Sequence, residues 1–254
     1  MLKVDLHTHT ADDPVDDIPY TTFELIDRAA ALGYEGLAIT LHEKQLDIRP
    51  FAAHAAERGI VLVPGIERTI EGRHVLLLNF SDGAEDVATF ADLARLKRRR
   101  RGLVIAPHAY FPSTSCLRGA LERHADLFDV VERNAMYTRA VDFNRRAERW
   151  AEQHGKPVVG NGDVHRLMQL GTTHTLVDAE KDADAICHAV INGHVIVESR
   201  PLSTVEAARI ASALVVGFDP ERLVNEIGQR WQSVETIARS IAGTHISGSD
   251  ISQS

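Results

Sequence analysis

VDLHTHT, residues 4–10, ends a short β-branched run on His-x-His, and ADDPVDD at 11–17 follows at once. Alternate side chains of an extended strand share a face, so His7 and His9 are expected to point the same way. Two uncharged imidazoles buried side by side are costly unless something uses their lone pairs. A metal ion does so: neutral imidazole binds Zn, Fe, Ni or Cu, and carboxylates extend the range to Mn. Such a centre needs further ligands from the rest of the chain.

Downstream, short apolar runs alternate with amphipathic stretches. Candidate strands cover 2–6, 36–40, 60–67, 74–80, 103–108, 129–134, 156–163, 174–179 and 194–199. Helical patterns cover 23–33, 51–59, 85–96, 139–155 and 182–193. Gly33, Gly59, Gly155 and Gly193 stand where helix C-termini favour a left-handed residue. This alternation predicts an α/β fold with a mostly parallel sheet, and the number of repeats favours a closed or nearly closed barrel. From about 203 the pattern is purely helical. The expected organisation is a barrel over 1–202 and a helical appendage with a frayed tail over 203–254, the latter a candidate contact in a homo-oligomer.

In a parallel α/β barrel the active face lies at the C-terminal ends of the strands. At the strand edges stand His7 and His9, His42 in AITLHEK, Glu67 in PGIE, His74 opening HVLLLNF, His108 in LVIAPH, and Asp163 and His165 in GNGDVH. Six of the 13 histidines fall at these edges, whereas His54, His124 and His188 lie within helical patterns. Any one of the six is most simply a satisfied buried polar group. Their coincidence with a Glu and an Asp is not explained that way.

DLHTHT, AITLH, GIE, HVLLL, APH and GNGDVH, in this order over residues 1 to about 200, resemble the successive motifs of the PHP (polymerase and histidinol phosphatase) superfamily. The resemblance implies a distorted (β/α)7 barrel, here with a C-terminal helical appendage, and two or three divalent metal ions (Zn, Mn or Fe) at the strand ends. Carried over position by position, it implies one ion on His7, His9, Glu67 and Asp163, and a second on Glu67, His74 and His108. A third would use His42, His165 and one acid from Asp12, Asp13, Asp16 and Asp17. Asp17 is favoured on spacing, three residues before Tyr20, ahead of Asp13. Two positions depart from the family pattern. Leu41 stands where an Asp often precedes the histidine, and Gly162 where Ser or Thr often precedes the Asp; the first touches the support of His42 rather than the ligand set.

Closely spaced cations would create a phosphate pocket within a chain of net charge −8. Paired ions clamp the attacking and leaving oxygens of a phosphoester and activate water. Catalytic roles are expected for Glu67, Asp163, His42 and His165, with Glu67 presenting one oxygen to each of two ions. Arg68, Arg133, Arg139, Arg166 and Lys44, all near motifs in sequence, are candidates for binding substrate phosphate. Glu132 and Asn134 are candidates for lining the pocket.

The expected function is hydrolysis of a small phosphomonoester or phosphodiester, of nucleotide or sugar-phosphate type, with a histidinol-phosphatase-like enzyme as the specific alternative. A metal-dependent amide or ester hydrolase shares the His-x-His opening but typically needs a coordinating lysine at a strand end. A non-catalytic metal-binding or regulatory module is the third class. Acidic charge disfavours duplex nucleic acid as a partner. The basic block KRRRR at 97–101 reads as a helix end, where cations meet the dipole. No apolar run approaches the ~20 residues that cross a bilayer. With no signal-peptide pattern, and with Cys116 and Cys187 read as reduced thiols, a cytoplasmic location is expected.

Overall fold

All nine apolar runs become strands. In the computed structural model, which describes residues 1–216, these are β1 (Leu2–Thr8), β2 (Gly36–Ile39), β3 (Val61–Ile70), β4 (Arg73–Leu78), β5 (Leu103–Ala106), β6 (Val130–Asn134), β7 (Val158–Asn161), β8 (Thr173–Val177) and β9 (Val195–Ser199). Between them lie α1 (Thr22–Ala31), α2 (Ala52–Glu57), α3 (Phe90–Arg99), α4 (Gly119–Arg123), α5 (Asn144–His154) and α6 (Ala183–Ile191), and α7 (Thr204–Val216) follows.

The lateral order is β7-β6-β5-β4-β3-β2-β1-β8-β9, so the first seven strands stand in chain order. The sheet curls until its ends nearly meet. His9 donates its N–H to Val164 O (3.1 Å) and Val164 returns one to His7 O (3.2 Å). Gly160 on β7 donates to Thr175 Oγ1 on β8 at 2.8 Å. A Cβ at Gly160 would lie 2.9 Å from the His174 carbonyl, so this close approach requires glycine. The result is the expected barrel, nearly closed and distorted.

The distortion lies at β4. Pairs β1–β2, β2–β3, β5–β6 and β6–β7 are parallel, but β4 runs antiparallel to both neighbours. The expected parallel pattern breaks there because only Glu71 and Gly72 link β3 to β4, with φ of 48° and 75°. Two left-handed residues make a hairpin, whereas a parallel crossover needs about a dozen residues or more. β8 and β9 are likewise antiparallel, β8 to β1 and β9 to β8.

The barrel is filled by side chains. Val4, Leu6, Ala38, Val63, Leu76, Ile105, Val130 and Val159 form one buried cluster with Ile186 and Val190 of α6. Outside, Leu25 and Ile26 of α1 pack with Leu37 and Ile39. Trp150 of α5 joins Val131 and Phe128 in a third cluster. Each fully buried aliphatic or aromatic side chain contributes about 1.5–3 kcal/mol. That burial holds the rim rigid enough to carry strained residues.

Helix boundaries shift where capping decides them. α3 starts at Phe90 rather than 85, because Thr89 Oγ1 accepts the Asp92 N–H (3.1 Å) while Asp92 Oδ2 accepts the Thr89 N–H (2.9 Å). Lys97, Arg98 and Arg99 occupy its last turn as expected, and Lys97 pairs with Asp129 at 2.6 Å. α5 starts at Asn144 rather than 139, after a turn in which Asp142 Oδ1 accepts the Asn144 N–H (3.0 Å). Cys116 and Cys187 are free and buried. Among the described residues no helix is long and apolar enough to cross a membrane. Met1–Ile210 forms one compact unit. The expected appendage over 203–254 begins with α7 and otherwise lies outside the described residues.

Candidate metal centre

Glu67, buried on β3, faces histidines from four other strand ends. Its Oε2 lies 3.1 Å from His7 Nε2, 3.3 Å from His9 Nε2 and 3.2 Å from His42 Nε2. Its Oε1 lies 2.7 Å from His74 Nδ1 and 3.1 Å from His108 Nε2. Asp163 Oδ1 stands 3.3 Å from His7 Nε2. The His165 ring is centred 4.3 Å from that of His9. Backbone bonds tie the parts together: Glu67 donates its N–H to Leu41 O and Glu43 donates to Glu67 O, both at 3.0 Å.

Three sets of ligand atoms lie within 4.8 Å of one another: His7, His9, Glu67 and Asp163; His42, Glu67 and His74; and His9, His42 and His165. The first is the set expected for one ion. In the other two His42 is shared, and His108 joins through Glu67 Oε1.

Several of these rings are held from the far side. His7 Nδ1 meets Glu132 Oε2 at 2.7 Å. His9 Nδ1 and His42 Nδ1 share Asp13 Oδ2, each at 3.0 Å. A carboxylate on the outer nitrogen fixes tautomer and ring plane and leaves Nε2 for a metal. Asp13 thus supplies the support that apolar Leu41 cannot. His108 differs, with Nδ1 3.4 Å from Cys116 Sγ. Glu132 is itself fixed by Asn134 Nδ2 (2.9 Å), Asn161 Nδ2 (3.1 Å) and the His108 N–H (3.1 Å). Asp5 accepts N–H groups from His7 (3.1 Å) and Gly162 (2.9 Å). Sequence alone does not single out Asp5, Asn161 or Cys116; the spacings Asp5–His7 and Asn161–Asp163 were the available signals.

Electrostatics follow from burial among opposite charges. Burial disfavours charged His7, yet Asp163, Glu132 and Glu67 raise it well above the ordinary histidine value. Burial likewise opposes ionised Glu67, but His7, His108 and His74 hold it well below the usual carboxylate range. Asp163 is lowered in the same way, by His7, His165 and His108 against burial. His9 moves the other way, lowered by burial and by His165. Asp5, behind the rim, is pushed up to about 8 by burial. Two candidate ligands also carry backbone strain, His108 at φ 29° and Asp163 at φ 50°. Such positions cost roughly 1–3 kcal/mol and concentrate at functional sites.

His9 Nε2 and His74 Nδ1 are buried without a hydrogen-bond partner, because the nearby Glu67 oxygens are not aligned for one. Unused imidazole lone pairs around one carboxylate, beside Asp163, are the donor set of a first-row divalent metal. The residues fit divalent ions.

Not every expected residue arrives. Asp17 is exposed, and its backbone carbonyl accepts from Arg166 Nη1 at 3.3 Å. It is Asp16 that reaches the histidines, with Oδ2 3.0 Å from His165 Nε2 and 3.7 Å from His42 Nδ1. A cleft of about 270 Å3 opens beside the centre, lined by Asp16, Phe111, Ser113, Ser115, Cys116, Asn134 and Met136 together with ligand candidates. None of the five basic candidates is among its lining residues. Arg68 pairs with Glu43, Arg133 pairs with Glu148 and lies over the Tyr137 ring, and Arg166 donates to backbone carbonyls. Arg139 and Lys44 are exposed.

Residues 142–195 match the sequence model of the PHP-associated family, PHP_C. No curated protein matches the sequence. Among solved structures, PsfC of Pseudomonas syringae is similar over 84% of this chain and 96% of its own, at 18% identity and a TM-score of 0.58. A Bifidobacterium adolescentis protein assigned as a metal-dependent phosphoesterase is similar over 75% of this chain and 96% of its own, at 16% identity and a TM-score of 0.54. Endonuclease Q, in complex with a duplex substrate bearing an abasic lesion, is similar over 78% of this chain and 58% of its own, at 17% identity and a TM-score of 0.52. The expectation against duplex nucleic acid therefore finds no support in these comparisons. The motifs that resemble the PHP superfamily thus gather on one barrel rim, and the 142–195 segment matches the PHP-associated family model.

Proposed function

We propose that the chain is a metal-dependent phosphoesterase that hydrolyses a small phosphomonoester or phosphodiester of nucleotide or sugar-phosphate type, using two or three divalent ions of Zn, Mn or Fe. The supporting observation is the division of Glu67: Oε2 turns to His7, His9 and His42, and Oε1 to His74 and His108. One carboxylate shared in this way is what two adjacent cations require. Bound there, the ions would supply Lewis-acid stabilisation of phosphoryl oxygens and a water of lowered pKa. Glu67 and Asp163 balance the positive charge, and Glu132 and Asp13 keep the imidazoles oriented. In the two-ion case, where they hold no third ion, His165 and His42 on the cleft wall beside Asp16 would be the groups to protonate the leaving oxygen.

Histidinol-phosphatase-like activity is the monoester case of this reading. The amide-hydrolase alternative is weakened, because no lysine is among the described residues lining the cleft and Lys44 is exposed. The same reading keeps the chain in the cytoplasm, where unpaired thiols such as Cys116 and Cys187 persist. p-Nitrophenol release from p-nitrophenyl phosphate and bis-p-nitrophenyl phosphate, after chelation and after reloading with Mn, tests the proposal. Activity lost on chelation and restored by metal supports it. Metal bound without turnover of either ester would place the chain among non-catalytic modules instead.

A further inference from the structure

The cleft has a second wall that takes no part in holding ions. Phe111, on the loop after β5, and Met136, on the loop after β6, line it together with Ser113 and Ser115. Phe143 packs on Phe111, ring centroids 5.4 Å apart and planes tilted by 55°, yet remains 38% exposed. The Phe111 loop is tied down. Arg118 Nη2 donates to Phe111 O (3.2 Å), the two serine hydroxyls bond each other (2.8 Å), and Ser115 O accepts the N–H of His74 (2.8 Å). Phe143 is not itself a lining residue, but it backs Phe111, whose part-buried ring is fixed on the wall of a candidate active site. The same wall carries no lysine or arginine among the described residues, so it offers ring faces, a thioether and hydroxyls but no second anion site.

We propose that Phe111, supported by Phe143 and accompanied by Met136, forms the leaving-group subsite and takes a flat aromatic group on the alcohol side of a singly phosphorylated ester. The inference rests on the phosphoester reading of the adjacent centre. Phosphate goes to the cations, and the ring of the alcohol goes to the Phe111 face. Ring–ring and sulfur–ring contacts of this type are worth about threefold to tenfold in affinity.

Titration calorimetry of the Mn-loaded full chain with non-hydrolysable 2-phenylethylphosphonate, 2-cyclohexylethylphosphonate and butylphosphonate tests this, because the three share a head group and differ in the tail. The phenyl compound is expected to bind about threefold to tenfold more tightly than either other. Phe111→Leu, which keeps apolar volume and removes the ring, should abolish that preference, so that the phenyl and cyclohexyl compounds bind alike, while bound metal is unchanged. Phe111→Tyr should keep it. Equal affinities in the native chain, a cyclohexyl compound as tight as the phenyl one, or a preference that survives Phe111→Leu would overturn the proposal. Phosphate release from 2-phenylethyl phosphate separates the two readings: a ring preference without hydrolysis upholds the subsite and overturns the phosphoesterase assignment.

Discussion

Glu132 Oε2 lies 2.7 Å from His7 Nδ1, and both side chains are fully buried. The carboxylate fixes a proton on Nδ1 and turns Nε2 toward Glu67 and Asp163. Replacing it with a neutral amide removes the charge that makes His7 a strong ligand. Glu132→Gln is therefore expected to weaken metal binding by about 10–100-fold, read by competition with a chelator of known affinity. Unchanged affinity would remove Glu132 from the centre's support.

Glu67 is shared by five imidazoles, so its loss should cost more than one ion. Elemental analysis of Glu67→Ala should show at least two ions fewer per chain than the native protein. His108→Ala, which removes a ligand from the Oε1 side alone, should show one fewer. Equal losses in the two variants would contradict a bridging role.

Proton linkage gives a third expectation. In the ion-free centre burial opposes charge on His7 and His108, but neighbouring carboxylates, with Cys116 also acting on His108, raise both well above the ordinary value; His42 and His165 are raised too. A raised histidine contributes stability that is fully present below about 6.5 and is lost as pH climbs through its folded value. The lowered carboxylates Glu67 and Asp163 do the reverse, contributing above their ordinary range and losing that on acidification. Metal needs neutral imidazole, so loading must expel the bound protons. Calorimetric loading at pH 7 in buffers of different ionisation heat should show more than one proton released per chain. Heats independent of buffer would count against it.

How much of this was legible beforehand depended on what each residue answers to. Strands followed from β-branched runs, and ligand candidates from the few residue types that bind metal at strand ends. The reversal of β4 was written in Glu71–Gly72, but the alternating pattern around it pointed the other way. Nearness in sequence misled for the arginines. Arg68 and Arg133 each follow a site carboxylate on a strand, and alternation sends them to the opposite face, where they meet Glu43 and Glu148. The acidic turn was beyond periodicity altogether. Asp13 Oδ1 caps it by accepting N–H groups from Val15 and Asp16, which leaves Oδ2 for His9 and His42 and swings Asp16 to His165.

That turn separates two neighbours experimentally. Asp16→Asn should weaken metal binding at the His42–His165 side by roughly tenfold or more, whereas Asp17→Asn should leave it unchanged. Chelator titrations of the two variants read the difference. The opposite order would restore Asp17 as the acidic member.

Cys116 lies 3.4 Å from the outer nitrogen of His108. Cys116→Ala strands a buried ring nitrogen and should cost about 1–3 kcal/mol of stability in urea unfolding. Cys116→Ser restores a partner and should recover most of that loss. If alanine and serine behave alike, the thiol acts only by filling space.

The most direct measurement is anomalous diffraction at the metal absorption edge from crystals grown with Mn. Peaks should appear on both sides of the Glu67 carboxylate, one within coordination reach of His7, His9 and Asp163 and another within reach of His74 and His108. A map with no peak beside Glu67, or with metal bound elsewhere on the chain, would contradict the assignment.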